Sequence, residues 1–300
     1  MELKNFEQLK EKFKENDKVP RMVIAVAADI HTLDAALKAR KEKLIVPVAV
    51  GNKQEIEKIL NTIGETIPEE DIYDEADDAS ACALAVKLIR EGKGDFLMKG
   101  MVETGVLLKA VVNKEEGLSA GNTMSHFTIF ETPGYHKLLT AVDGGMVAYP
   151  TLEQKVDIIN NTVHTLLAIG YELPKVGVLA CVEKVNPKMP ETVEAYELQK
   201  MNEEGLIKDC IIKGPISYDI AVDKEIAKYK KYEGVIAGDV DVLIAPNIHA
   251  GNIMGKMLIC TAGAKMAGII VGAKCPIVLT SRGSSEEEKY LSMLLAAVIK

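Results

Sequence analysis

Short, β-branched apolar runs, each closed by a polar turn and followed by helical periodicity, recur along this chain. The clearest spans 240–245, where Val240 to Ala245 is stopped by Pro246. A run this short and apolar is the profile of a strand buried on both faces, which is how parallel sheets read. The same reading places strands over 22–28, 46–50, 96–98, 127–130, 141–148, 176–180, 207–212, 268–271 and 277–280. Apolar residues at helical spacing place helices over 6–14, 33–39, 56–63, 79–90, 106–112, 152–169, 193–202 and 218–230. A last helix begins at the triple glutamate 286–288. Strand and helix alternate, so the expected architecture is α/β, a parallel doubly wound sheet. In such sheets ligands sit beyond the carboxyl ends of strands. Two polar turns lie there: 247–252, rich in glycine and asparagine, and 281–285.

The second turn carries chemistry. Arg282 is the only arginine after Arg90. A guanidinium offers a rigid fork matched to phosphate, which an ammonium lacks. Gly283 allows close backbone approach. Ser284 and Ser285 precede a helix start, whose free N–H groups favour an anion. The turn therefore reads as a phosphate seat. An ordinary capped helix with a surface arginine is the plainer alternative, since Ser and Thr caps are common.

The stretches GVIAGDVDVLIAPNIHAGNIMGK and PIVLTSRGSSEEEKY resemble the phosphate acetyl/butyryltransferase family. KGMVETGVLLKAV, SHFTIFETPGYHKLL, DGGMVAYPTLEQKVDIINN and KGPISYDIAVDKE resemble its butyryl branch in particular. The resemblance runs from Lys99 to the C-terminus; before that only the general α/β pattern carries it. It implies two doubly wound α/β domains around a cleft, like isocitrate and isopropylmalate dehydrogenases. The chain would cross into the second domain near its middle and return with its last helix. This places the first domain at 1–139 plus 285–300 and the second at 140–284.

The resemblance also assigns roles. Ser281 would stabilise the transition state, and Arg282 would contact phosphate and coenzyme A. The family has an aspartate seven residues after the serine as its base; here that position is Glu288, which keeps the carboxylate and lengthens its reach. Lys109 takes the place of an anion-binding arginine, keeping charge without the fork; a surface lysine is the alternative. Gly283, Asn252 and Lys256 complete the candidate phosphate- and coenzyme-A-binding residues. Glu288 has a competing reading. Ser285 to Glu288 has capping-box spacing, in which the glutamate only helps start the helix.

Other motifs weaken on inspection. Gly251 to Met257 is a near miss of a P-loop, with one residue too few between its glycines and a methionine where Ser or Thr should stand. No GxGxxG follows a strand. Asp219 and Asp223, four apart on one predicted helix, could serve a metal, but a solvated acidic face beside Lys224 and Lys228 is the better reading. Asp239 and Asp241 read as local caps or pairs. His249 reads as part of a turn, and His126 as a satisfied structural histidine. The five cysteines have no metal-ligand spacing, and most read as buried small hydrophobes of a reducing cytosol.

With 300 residues, 48% hydrophobic and 27% charged, the chain has ample material for a buried core. Its net charge of −8 argues against nucleic-acid binding. The charged N-terminus lacks a signal-peptide pattern, and no apolar run is long enough to span a bilayer, so a cytoplasmic protein is expected. The expected activity is reversible transfer of a short acyl group, butyryl foremost, between coenzyme A and inorganic phosphate. Neither metal nor redox cofactor is expected, and a homo-oligomer is. Three alternatives stand: an acetyl-preferring transferase, an NAD- and metal-dependent decarboxylating dehydrogenase of the same fold, and a non-catalytic acyl-CoA-binding domain.

Overall fold

The computed structural model describes residues 2–280 and 283–299. In chain order its elements begin with α1 (Phe6–Phe13), β1 (Arg21–Ala25), α2 (Ile30–Lys41), β2 (Val46–Gly51), α3 (Lys53–Ile63) and β3 (Ile72–Asp74). There follow α4 (Asp78–Arg90), β4 (Phe96–Lys99), α5 (Thr104–Val111), β5 (Ser125–Glu131), β6 (Leu139–Val142), α6 (Leu152–Ala168), β7 (Lys175–Leu179) and α7 (Pro190–Glu203). The series closes with β8 (Ile211–Ile216), α8 (Tyr218–Val222), α9 (Lys224–Tyr229), β9 (Val242–Ile244), α10 (Ile248–Cys260), β10 (Lys265–Val271), β11 (Ile277–Val278) and α11 (Glu286–Val298).

Local chemistry sets many of these boundaries. Asp29, Asn52 and Asp77 each accept a backbone N–H at the start of α2, α3 and α4. Gly64 ends α3 at φ 69°, where a side chain would be strained. Thr151 and Gln154 close a reciprocal capping box on α6.

The chain forms two compact units. One comprises Leu9–Asn122 with the residues from Ala267 on. Its strands run in the order β3-β2-β1-β4-β11-β10. All pair in parallel except β10 against β11. The other comprises Thr123–Met266 with the residues up to Gln8. Its order is β5-β6-β9-β7-β8, parallel except for β5 against β6. Each unit is thus a mixed α/β sheet rather than the purely parallel one expected. The links 132–138 and 272–276 are too short for a parallel crossover, which needs a dozen or more residues, so both pairs return antiparallel.

Those hairpins also explain where the chain passes between units. The crossings fall at 122/123 and 266/267, not at 139/140 and 284/285. Pairing β5 with β6 keeps 125–142 together. On the return, β11 pairs with β4 and the Gly268 N–H donates to the Ser292 hydroxyl of α11 at 3.0 Å, so 267–284 stays with the unit that holds α11.

Four segments differ from the sequence expectation. The strand over 141–148 ends at Val142, because the Asp143 carboxylate draws the next backbone into a turn. The strand over 207–212 instead runs Ile211–Ile216 and includes Gly214 and Pro215. The helix over 218–230 breaks at Asp223, whose side chain caps α9. The polar turn 247–252 is already helix, since Asn247 caps α10 by accepting the Ala250 N–H. β3, only three residues long, had no strand signal.

Candidate active site

In the unit of α11, β4 lies between β1 and β11 with all three parallel, so their carboxyl ends are neighbours. The Gly100 N–H donates to the Ala25 carbonyl at 2.8 Å, and the Met101 N–H to that of Val26 at 2.9 Å. A Cβ on Gly100 would fall 2.1 Å from the Val26 oxygen, so glycine is required. Val26 itself sits at φ 57°, a strained conformation for a β-branched residue. Such strain gathers at functional sites, and nothing in the sequence marks it. Lys99, 8% exposed, ends β4 and donates to the carbonyls of Gly100 and Val102 at 3.2 and 3.0 Å.

The predicted phosphate-binding turn comes after β11 in the chain, and only its part from Gly283 on is described. Ser281 and Arg282 lie outside the described residues. Gly283 is exposed. The Ser284 hydroxyl donates to the Glu288 carboxylate at 2.5 Å. The Ser285 hydroxyl oxygen accepts the Glu288 N–H at 3.1 Å and caps α11. Half of the expected capping box is therefore present. The carboxylate that would complete it is engaged with Ser284, at the turn. Glu286 instead anchors the helix start, accepting from Lys38 of α2 at 3.0 Å. Lys109 is exposed in the last turn of α5 and has no hydrogen bond to this group among the described residues.

Asn252 and Lys256 stand on α10, in the other unit. Asn252 serves the fold: its amide donates to the Gly144 carbonyl at 3.0 Å. Gly251 lets the helix approach that loop, since a Cβ there would lie 2.5 Å from the Asp143 carbonyl oxygen. The buried Asp143 carboxylate holds the loop by accepting from the N–H groups of Gly145, Met146 and Val147 at 2.7 to 3.1 Å. Gly145 in turn lies against the His126 ring. Desolvation holds His126 below its ordinary pKa, against the pull of Asp143. His249 is engaged with the Tyr149 hydroxyl at 2.9 Å on the surface. Lys256 is exposed and makes no ion pair among the described residues.

The other candidates resolve as structure. Asp219 receives the Lys230 ammonium at 2.8 Å and the Ser217 hydroxyl at 2.6 Å, and these hold its pKa down at about 2. Asp223 caps α9, so the two carboxylates do not share one helix face. Asp239 and Asp241 meet Lys137 and Lys175 in an ion cluster; the Lys137–Asp241 pair is 2.6 Å apart and almost fully buried. Among the described residues no three His, Cys, Asp or Glu are grouped to hold a metal ion. Cys82, Cys210 and Cys275 are buried, whereas Cys181 and Cys260 are exposed. Burial pushes the Cys82 and Cys210 thiols up to about 11 and about 12.

A family model described as phosphate acetyl/butaryl transferase matches residues 74–297. The chain belongs to that family. Its similarity to individual phosphate acyltransferases extends over almost the whole length. It is 41% identical to a phosphate butyryltransferase of Clostridium acetobutylicum, over 99% of this chain and 98% of the relative. It is 42% identical to a phosphate acetyltransferase of Thermotoga maritima, over 93% and 94%. Among solved structures, a branched-chain phosphotransacylase from Enterococcus faecalis superposes with a TM-score of 0.81 at 31% identity, covering 93% of this chain and 98% of that one. Within the phosphate acyltransferase family the sequence-derived candidates thus divide. Gly283 and Glu288 sit together at the start of α11. Lys109 is on a separate helix of that unit, and Asn252 and Lys256 belong to the other unit.

Proposed function

We propose that this chain is an acyltransferase that moves a short acyl group, preferably butyryl, reversibly between coenzyme A and inorganic phosphate. Membership of the phosphate acyltransferase family supports the reaction class. The contact that supports the site reading is the 2.5 Å hydrogen bond from Ser284 to Glu288, which engages the carboxylate with the residue after Gly283 rather than with its own helix cap. In the direction of acyl-phosphate use, Glu288 takes the thiol proton of coenzyme A. The thiolate attacks the acyl-phosphate carbonyl, the carbon–oxygen bond to phosphate breaks, and a thioester forms as phosphate leaves. Ser281 donates to the carbonyl oxyanion and Arg282 to the departing phosphate. No covalent acyl-enzyme, metal or redox cofactor enters this scheme. Lys109, Gly283, Asn252 and Lys256 are the proposed supporting residues for phosphate and coenzyme A.

The finer fold reading, an isocitrate dehydrogenase-like pair of domains, belongs to the same proposal, as do a homo-oligomeric state and a cytoplasmic location. No helix among the described residues is long and apolar enough to cross a membrane. The acyl preference has its own test. With phosphate as acceptor, thiol release from acetyl-, propionyl-, butyryl- and valeryl-CoA should give a kcat/KM for butyryl about tenfold above acetyl. Two buried methylenes at about 0.8 kcal/mol each account for that ratio. An enzyme that favours acetyl-CoA would remove the butyryl assignment and leave the reaction class standing.

A further inference from the structure

Unusual features meet where β4 ends. Lys99, the last residue of the strand, is buried, and its Nζ donates to the carbonyls of Gly100 and Val102 at 3.2 and 3.0 Å. Gly100 lies so close to β1 that a Cβ would fall 2.1 Å from the Val26 carbonyl oxygen. Val26 holds a φ of 57°, and its carbonyl accepts the Met101 N–H at 2.9 Å. In register, Lys99 stands beside Ala25 of β1, and Met98 beside Val278 of β11. Thr280, the last described residue before the predicted phosphate-binding turn, is buried two positions further along. The carboxyl ends of parallel strands are where α/β sheets receive ligands. The turn after β4 is reachable there: Met101 is 49% exposed, and Glu103 is exposed as well.

Packing does not account for the lysine. A methionine of similar length would fill the same space without taking an ammonium out of water, which is costly even when the ammonium is hydrogen-bonded. What a methionine cannot do is hold two carbonyls of one turn. The turn is fixed from both sides: the N–H groups of Gly100 and Met101 go to the end of β1, and the carbonyls of Gly100 and Val102 go to Lys99. Val26 is thereby kept in a conformation that a β-branched residue otherwise avoids, and such strain persists where the surroundings over-determine it. A turn held this firmly at the ligand end of a sheet is a preorganised wall, and the charge behind it has the sign that suits an anion.

We propose that Lys99 is a positioning residue for the phosphate substrate: it holds the 100–103 turn in the shape that phosphate, or the phosphoryl end of an acyl phosphate, meets. This rests on the reading of the chain as a phosphate acyltransferase. Lys99→Met and Lys99→Arg test it, with thermal unfolding measured on each preparation so that rates refer to folded enzyme. In Lys99→Met, kcat/KM for phosphate should fall by roughly a hundredfold, the cost of a misplaced reacting group, while KM for butyryl-CoA stays within about twofold. Lys99→Arg keeps the charge and the donors, and should recover part of the loss. If Lys99→Met lowers Tm while the folded fraction keeps wild-type kinetics towards phosphate, the lysine is structural and the proposal is overturned. Hydrogen exchange on the wild type tests the same turn without any substitution. Compared with phosphate-free buffer, saturating phosphate should slow exchange severalfold in the peptide covering 100–106 and leave β8 unchanged. Exchange over 100–106 that ignores phosphate, in enzyme whose thiol release depends on it, overturns the proposal and leaves the acyltransferase reading standing. Absence of thiol release by the wild type from acetyl-, propionyl-, butyryl- and valeryl-CoA overturns that reading itself, and this proposal with it.

Discussion

Substitutions at the start of α11 separate two jobs that the sequence confounds at Glu288. The structure assigns capping to the Ser285 hydroxyl, which accepts the Glu288 backbone N–H at 3.1 Å, and leaves the Glu288 carboxylate to Ser284. Glu288→Gln keeps the backbone N–H, so the cap survives, and its amide oxygen can still accept from Ser284. Stability should change by no more than about 0.5 kcal/mol, since the half-buried side chain keeps its shape and its partner. A glutamine cannot take the thiol proton, so kcat should fall by roughly a hundredfold or more, equivalent to about 2.7 kcal/mol of barrier. Glu288→Asp restores the charge at shorter reach and should recover part of the rate. Ser285→Ala does the reverse. Loss of the N-cap costs about 1 kcal/mol and lowers Tm by roughly 2–4 °C in a unit of this size, while kcat falls far less than in Glu288→Gln. Thiol release from butyryl-CoA and thermal unfolding, measured on the same preparations, give both numbers. Near-wild-type turnover in Glu288→Gln would refute the catalytic role and leave the base to be sought at Glu286 or Glu287.

Arg282→Lys keeps the charge but loses the bidentate fork, so KM for phosphate should rise and kcat fall; unchanged phosphate kinetics would place the phosphate seat elsewhere. Gly100→Ala would set a Cβ 2.1 Å from the Val26 carbonyl oxygen and 2.8 Å from that of Ala25. Backbone must move, at about 2 kcal/mol or more, which denaturant titration should register as a lower midpoint. Lys230→Ala removes the main group holding Asp219 at about 2, so carboxyl NMR should find that pKa closer to the ordinary carboxylate range. Because the folded-state value is depressed, Asp219 contributes stability above the ordinary range, near 4, and loses it as pH falls towards 2. The slope of stability against pH in that window should therefore flatten in the variant, and an unchanged slope would show that the pair does not contribute.

The sequence by itself determined many of the elements and the cap at the start of the last helix. Strand and helix periodicities over 22–28, 46–50, 79–90 and 152–169 depend on residues close in the chain, and they match β1, β2, α4 and α6 to within a few positions. The start of α11 was equally legible, because a cap is local: Ser285 and Glu288 are three residues apart. Wherever partners are far apart in the chain, only tertiary structure decided. Gly214 and Pro215 lie beyond the strand read at 207–212, yet β8 runs through them beside β7, with a shift of register between Gly177 and Leu179. Asp143 ended a strand that composition would have extended, by taking three backbone N–H groups. The strain at Val26 and the need for glycine at Gly100 exist only because two strand ends meet. The same holds for an apolar cavity beside α10: its methionines read as a helix face, and the neighbours that make them a wall come from β7, α7 and β9. Periodicity records which side of an element is apolar; what that side meets depends on pairing between distant segments, which no local pattern encodes.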